Sequence, residues 1–242
     1  MKGIIHLHSS FSHDAINKID KIIDKALEND LDFIILTDHD TINGSLALRK
    51  RIKERKLNLL APIAAEYKTS YGDIIAAFIK NEITDLRYQD FILEVKKQNG
   101  LILFPHPFQS HPDDKIELIA SDADLIEISN SRCTKIQDEK SERLSYKFNK
   151  FTYHGSDAHL PNELCNVIVE IEGNLTENDL KNSLIKCEMS LLKTEKTLIR
   201  NISLSLLIKS IKQKNRKLFL KNLVGIFIDS IRFISFIHPM RS

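Results

Sequence analysis

Short apolar runs of strand character alternate along the chain with amphipathic stretches. The runs cover residues 3–8, 33–37, 59–65, 73–79, 101–104, 124–128, 151–154 and 166–171. Between them, residues 16–28 place Ile19, Ile22, Ile23, Ala26 and Leu27 at helical spacing. Residues 85–98 repeat the pattern with Leu86, Phe91, Ile92 and Val95, and Asn99-Gly100 closes that helix. Strand–helix alternation at this pace predicts parallel βα units. Seven or eight such units before residue 194 predict a closed barrel rather than an open sheet, and no GxGxxG turn supports the open alternative.

The polar residues fall where the apolar runs end. The first run ends His6-Leu7-His8; alternate positions of a strand share a face, so both imidazoles are expected to point one way, as two ligands of one metal would. The second ends Thr37-Asp38-His39-Asp40, and the third ends Ala65-Glu66. The fifth leads into Pro105-His106-Pro107, the sixth carries Glu127 with Asn130 just after, and the seventh leads into Gly155-Ser156-Asp157-Ala158-His159. In a βα barrel these ends converge on one face, where active sites are built. Five of the nine histidines (His6, His8, His39, His106, His159) sit at such ends beside carboxylates. His13, His111, His154 and His238 do not, and are read as ordinary hydrogen-bonded residues. Imidazole with carboxylate and no cysteine suits Zn, Mn or Fe in open catalytic sites. Neither a GxSxG elbow nor a phosphate loop is present.

Charge and composition change the picture mainly at the C-terminus. From Glu195 onward there are ten Lys/Arg against two Asp/Glu, a net of +8; the preceding body has 25 against 31, a net of −6. The acidic body disfavours nucleic acid as the main partner, whereas the tail is suited to an anionic surface. The expected organisation is a barrel over residues 1–194 and a basic helical tail over 195–242. Leu220, Leu223, Val224, Phe227, Ile231 and Ile234 form one apolar stripe in that tail, and residues 209–217 are dense in Lys and Arg. A membrane surface, a second subunit or the barrel's own helices are the expected contacts of this stripe. The apolar stretch 218–237 is broken by Lys221, Asp229 and Arg232, so no transmembrane span is expected. Three scattered cysteines (Cys133, Cys165, Cys187) and the absence of a signal-like N-terminus point to the cytoplasm.

Taken together, H6-L-H8-S-S-x-S12-x-D14, T37-D38-H39-D40, Glu66, P105-H106-P107, E127-I-S-N130 and G155-S-D157-A-H159 resemble the PHP (polymerase and histidinol phosphatase) family over roughly residues 1–190. The resemblance implies an α/β fold, a distorted (β/α)7 TIM-like barrel, here with a C-terminal helical extension. It implies two or three divalent metal ions and hydrolysis of a phosphate ester by a metal-activated water, with a small phosphorylated substrate, possibly a nucleotide. A nuclease trimming RNA or DNA ends and a non-catalytic metal-binding scaffold are the alternatives. Carried onto this chain, His6, His8, Glu66 and Asp157 correspond to a first metal site, Glu66 and His106 to a second, and Asp14, His39 and His159 to a third. Several members have a further His on the strand after the bridging Glu, where this chain reads G72-D-I-I-A-A-F78, so Asp73, Glu127 or water would complete the second site. Asp14 reads equally as a ligand or as an acid at a helix N-terminus. Asp40, Arg132 and His159 are the candidate catalytic residues: Asp40 as proton donor, partner of His39 or plain turn residue, and Arg132 as a bidentate phosphate grip or a solvated surface group.

Overall fold

A computed structural model describes residues 1–186 and 189–223. Nine strands form two sheets among these residues. The first has the order β2-β1-β8-β9, built from β1 (Lys2–Ile5), β2 (Phe33–Ile35), β8 (Val167–Ile171) and β9 (Met189–Thr194). The second has the order β3-β4-β5-β6-β7, built from β3 (Ala64–Thr69), β4 (Gly72–Ala77), β5 (Leu101–Phe104), β6 (Leu125–Asn130) and β7 (Phe151–Gly155).

The closed, all-parallel barrel expected from the sequence is not what forms. Parallel pairing holds for β1–β2, β5–β6 and β6–β7. Strands β3 and β4 instead make an antiparallel hairpin, β4–β5 is antiparallel, and β8 runs antiparallel to both β1 and β9. Among the described residues, isolated bridges join the two sheets: Phe33–Leu60 and His39–Glu66 along one seam, Leu7–Ala158 along the other. The hairpin has a local cause. Thr69 pairs with Gly72 across the two residues Ser70 and Tyr71, and Gly72 takes φ +113, a conformation that favours glycine. A tight turn leaves no room for a crossover helix.

Strand parity decides what faces the space between the sheets. Ile5, Phe33, Ile35, Ala64, Ile75, Ala77, Leu101, Leu103, Leu125 and Tyr153 point inward and form one buried cluster. Their neighbours Ile34, Ala65, Tyr67, Ile74, Ala76, Ile102, Phe104 and Ile126 point outward and pack in clusters with the helices. Gly3 has the parity of Ile5, and a Cβ there would lie 2.5 Å from the Phe33 ring. By the same period of two, Glu66 follows Ala64 and Glu127 follows Leu125 onto the inward face. Both carboxylates are thereby carried to one end of an apolar plug, each 1% exposed.

The outer layer is amphipathic helix. α1 (Ile19–Glu28) buries Ile22, Ile23 and Ala26, and α2 (Asn43–Glu54) buries Leu48 and Ile52. α3 (Tyr88–Lys97) ends where Asn99 takes φ +56, which agrees with the stop read at Asn99-Gly100. α4 (Ile116–Asp122) and α5 (Lys135–Phe148) follow, the latter opened by a Thr134/Gln137 capping box. α6 (Glu177–Leu184) and α7 (Ile199–Lys212) complete the described helices. Cys133 and Cys165 are buried and unpaired, and Cys187 lies outside the described residues. Among the described residues no helix is long and apolar enough to cross a membrane. In the proposed tail stripe, positions from Val224 on lie outside the described residues; Leu220 and Leu223 are exposed.

Candidate metal centre

Six chain segments deliver side chains to one end of the inter-sheet space. β1 stops at Ile5, one residue before His6, so strand alternation is not what aligns His6 with His8. His6 instead takes φ +60, Leu7 bridges Ala158 and joins the core, and His8 is held by its N–H on the Ala158 carbonyl at 2.9 Å. His106, just beyond β5, has φ +28, and Asp157, just beyond β7, has φ +47. His39 follows β2 and bridges Glu66 on the backbone. Asp14 lies in the loop before α1. It does not cap that helix, whose N-cap is Lys18, and its carboxylate turns into the cluster.

Glu66 is the centre of the cluster. Its Oε2 lies 3.4 Å from His6 Nε2, from His8 Nε2 and from His39 Nδ1, and its Oε1 lies 3.1 Å from His106 Nε2. Asp157 Oδ1 lies 3.6 Å from His6 Nε2, 3.4 Å from His8 Nε2 and 3.5 Å from His159 Nδ1. Asp14 sits 3.3 Å from His39 Nε2 and 3.5 Å from His159 Nε2. Three ligand-like triads result on the predicted residues: His6/His8/Asp157, His6/Glu66/His106 and His8/His39/His159. A fourth, His13/Asp14/His39, includes a histidine that sequence reading set aside.

These residues fit a metal. His6 Nε2, His8 Nε2, Glu66 Oε2 and Asp14 Oδ1 are buried and have no hydrogen-bond partner. Buried polar atoms are normally paired, so four convergent orphans need a partner that the chain does not provide. The spacing is right as well. Ligands ~2.0–2.1 Å from a tetrahedral ion sit roughly 3.3–3.4 Å apart, close to the separations around Glu66 and Asp157.

Without metal the buried imidazoles and carboxylates shift one another in opposite directions. Burial pulls His6 down, but Glu127, Asp157 and Glu66 override it and hold it well above its usual range. His39 is likewise raised to about 9, against burial, by Glu66 and Asp14. His8 goes the other way, to about 3, because it is buried and faces His159 and His39. Glu66 and Asp157 stay well below the carboxylate range despite burial, Glu66 through His39 and His6, Asp157 through His6 and His8.

An outer ring of acceptors sets the imidazoles. His6 Nδ1 donates to Glu127 Oε1 at 2.8 Å, which turns Nε2 toward the cluster. His159 Nδ1 donates to the Asp157 carbonyl at 2.8 Å. His106 Nδ1 donates to Ser110 Oγ at 3.3 Å, and that hydroxyl donates to Asp73 Oδ2 at 3.0 Å. Asp73 and Glu127, considered above as completing ligands, are thus engaged in orienting His106 and His6. Asp38 is fully buried and accepts from Ser9 N and Ser9 Oγ, both at 2.6 Å, fixing the loop after His8.

Two expected catalytic residues are engaged otherwise. Asp40 is exposed, has φ +53 and accepts from Lys68 N at 2.9 Å, so of its three readings the turn residue describes its contacts. Arg132 is no free phosphate grip. Its guanidinium is buried, donates to Glu163 at 3.0 and 3.2 Å and to Ser205 Oγ at 2.9 Å, because Glu163 approaches from the loop after His159 and α7 covers it. Glu163 also accepts from His159 N and Leu160 N at 2.7 and 2.9 Å, so it organises the His159 loop. Neither Glu163 nor His13 stands at the end of an apolar run, the pattern that marks the other site residues in the sequence.

A family model for the PHP domain matches residues 5–206. The chain belongs to the PHP domain family. An uncharacterised protein of Methanocaldococcus jannaschii is 29% identical over 119 residues, covering 45% of this chain and 68% of that one. Among solved structures, a two-domain protein of Bacteroides vulgatus that contains a predicted PHP-like metal-dependent phosphoesterase superposes with TM-score 0.68 at 19% identity. That match covers 80% of this chain and 65% of the other, so the chain spans less than two thirds of that protein. PsfC of Pseudomonas syringae superposes with TM-score 0.61 at 14% identity, covering 88% of this chain and 98% of that one. At such identities the structural likeness speaks for the fold alone. The PHP match itself runs past residue 194 into α7.

Proposed function

We propose that this PHP-domain chain hydrolyses phosphate esters of small molecules with the help of divalent metal ions. The observation that carries the reading is the set of four orphaned, buried donor atoms around Glu66 and Asp14. His6, His8, Glu66 and Asp157 would hold one ion, Glu66 and His106 a second, and Asp14, His39 and His159 a third. A divalent ion bound there acidifies water and neutralises charge on a phosphoryl group. Two or three ions of Zn, Mn or Fe suit the donor set equally.

The chain's own residues do the orienting. Glu127 fixes the tautomer of His6, the Asp157 carbonyl fixes that of His159, and the Ser110–Asp73 pair supports His106. Glu66 contacts four imidazoles and is the natural bridge between adjacent ions. The −6 body supports a small substrate over a nucleic acid. The test is a panel of phosphomonoesters and phosphodiesters, assayed with protein loaded separately with Zn, Mn and Fe and with its metal content measured. Hydrolysis of one class with one metal is the expected result. Fully loaded protein that cleaves nothing on the panel overturns the proposal.

A further inference from the structure

Exposure locates the mouth of the site. The side chains of His6 and His8 are 0% exposed, His39 14%, His13 28% and Lys209 33%. The floor is therefore at His6 and His8, and solvent enters past His39, His13 and Lys209. Lys209 does not belong to the strand-end loops. It comes from α7, some 200 positions from the first ligands in sequence.

α7 is docked so that Lys209 must stand there. Ser205, Lys209 and Lys212 recur at steps of four and three, and so share one helix face. Ser205 Oγ accepts from Arg132 at one end of that face. At the other, Lys212 Nζ donates to the carbonyls of Ser10, Ser12 and Ala15 at 2.9, 2.7 and 2.7 Å, which uses all three of its N–H groups on the loop that carries Asp14. Just ahead of the helix, Thr197 N donates to the Ser131 carbonyl at 2.8 Å. The polar face of α7 thus points at the site, while Leu206 and Ile211 are exposed. Held between these anchors, Lys209 Nζ lies 3.6 Å from Asp14 Oδ2, an ion pair too long for a hydrogen bond. Among the described residues its ammonium makes no hydrogen bond, so its donors remain for a ligand.

We propose that Lys209 is the substrate-binding cation of this site: its ammonium takes a non-bridging oxygen of the substrate's phosphate as it enters over His39. The inference rests on the phosphoesterase reading and adds a residue to it. It also makes α7 part of the catalytic unit instead of a separate tail starting at 195. An ammonium at the mouth of a carboxylate-rich pocket offsets the repulsion that a phosphate dianion meets there.

The experiment compares wild type, Lys209→Met and Lys209→Arg, each metal-loaded with content measured, by calorimetric titration with inorganic phosphate and by steady-state kinetics on the best ester. In Lys209→Met, phosphate binding should weaken roughly ten- to hundredfold, the loss of one charge-assisted hydrogen bond. KM should rise by a similar factor while kcat changes less, and Lys209→Arg should recover most of the affinity. Unchanged phosphate affinity in Lys209→Met with full metal content overturns the role of Lys209 and leaves the phosphoesterase reading standing. A gain of one metal ion per chain in Lys209→Met also overturns it, since the ammonium would then be filling a metal position. If loaded wild type binds no phosphate and cleaves no ester, both inferences fall together.

Discussion

Replacing Glu127 by Gln separates orientation of a ligand from ligation itself. Glu127 accepts three hydrogen bonds: from His6 Nδ1 at 2.8 Å, from His106 N at 2.6 Å and from Asn130 Nδ2 at 2.9 Å. Gln is nearly isosteric but offers one acceptor oxygen and an amide donor. With its NH2 at the Oε2 position the amide strands a buried N–H of His106 or Asn130, at a cost of about 1–3 kcal/mol to the metal-free fold; with its NH2 at the Oε1 position it faces His6 Nδ1. His6 can relieve the clash by accepting from the amide at Nδ1. Its proton then sits on Nε2, the atom turned toward Glu66 and Asp157, and blocks it as a ligand. Metal affinity should therefore fall about 10- to 100-fold, the usual effect of removing such an outer partner. The assay is a chelator-competition titration of metal, with urea denaturation of the metal-free protein alongside. Wild-type metal affinity and wild-type metal-free stability in Glu127→Gln would refute the orienting role.

Three further outcomes follow from the same geometry. Gly155→Ala places a Cβ 1.7 Å from Glu127 Oε1 and 3.2 Å from His6 Cβ; it should cost about 1–3 kcal/mol of overpacking and depress metal affinity, and a melting curve matching wild type would contradict the packing. Metal uptake should release protons, because His6 and His39 are raised in the metal-free protein, so affinity should climb with pH, His39 contributing up to about 9; calorimetry in buffers of different ionisation heat measures the release, and pH-independent affinity would count against it. The sign for stability is the reverse: His39, raised from 6.5 to about 9, stabilises the metal-free fold below 6.5, and that contribution is lost as pH rises through 9. Truncation after Thr194 removes the partners of Ser131, Arg132 and the Ser10–Ser12 carbonyls, so the shortened chain should lose metal or solubility, and full metal content at the wild-type melting temperature would show α7 to be dispensable.

The strands were legible where burial on both sides makes them wholly apolar: residues 101–104 were read with the bounds of β5. β9 was not read, because this edge strand, M189-S-L-L-K-T194, is largely exposed and its alternation carries no burial signal. Strand direction at β3 and β4 departs from the parallel expectation, and S70-Y-G72 lies between two apolar runs with no helical pattern between them. That is a hairpin signal, and it conflicts with the βα alternation of the neighbouring runs. All eight expected ligands come together: seven stand at the ends of apolar runs, where residue type and position are local properties, and Asp14 enters through the family resemblance alone. What Arg132 touches is not local. Its partner Glu163 is 31 positions away and its cover, Ser205, 73, and no periodicity connects them.

Strand alternation predicts the convergence of His6 and His8, but β1 ends at Ile5, and the actual cause bears on how the site works. His6, His106 and Asp157 all hold left-handed backbone. Each such non-glycine residue costs on the order of 1–3 kcal/mol and persists only where its surroundings over-determine it. Here they do: His6 N donates to Ile35 O at 3.2 Å, Asp157 N to His6 O at 2.5 Å and Ser156 N to Ile5 O at 2.9 Å, while His106 N donates to Glu127 Oε2 at 2.6 Å. Two of these three residues are tied to each other, and the third to the carboxylate that orients the first. The strain is therefore held by the seam between the sheets and by Glu127. A ligand set built this way is in place before metal arrives, so binding does not have to order it.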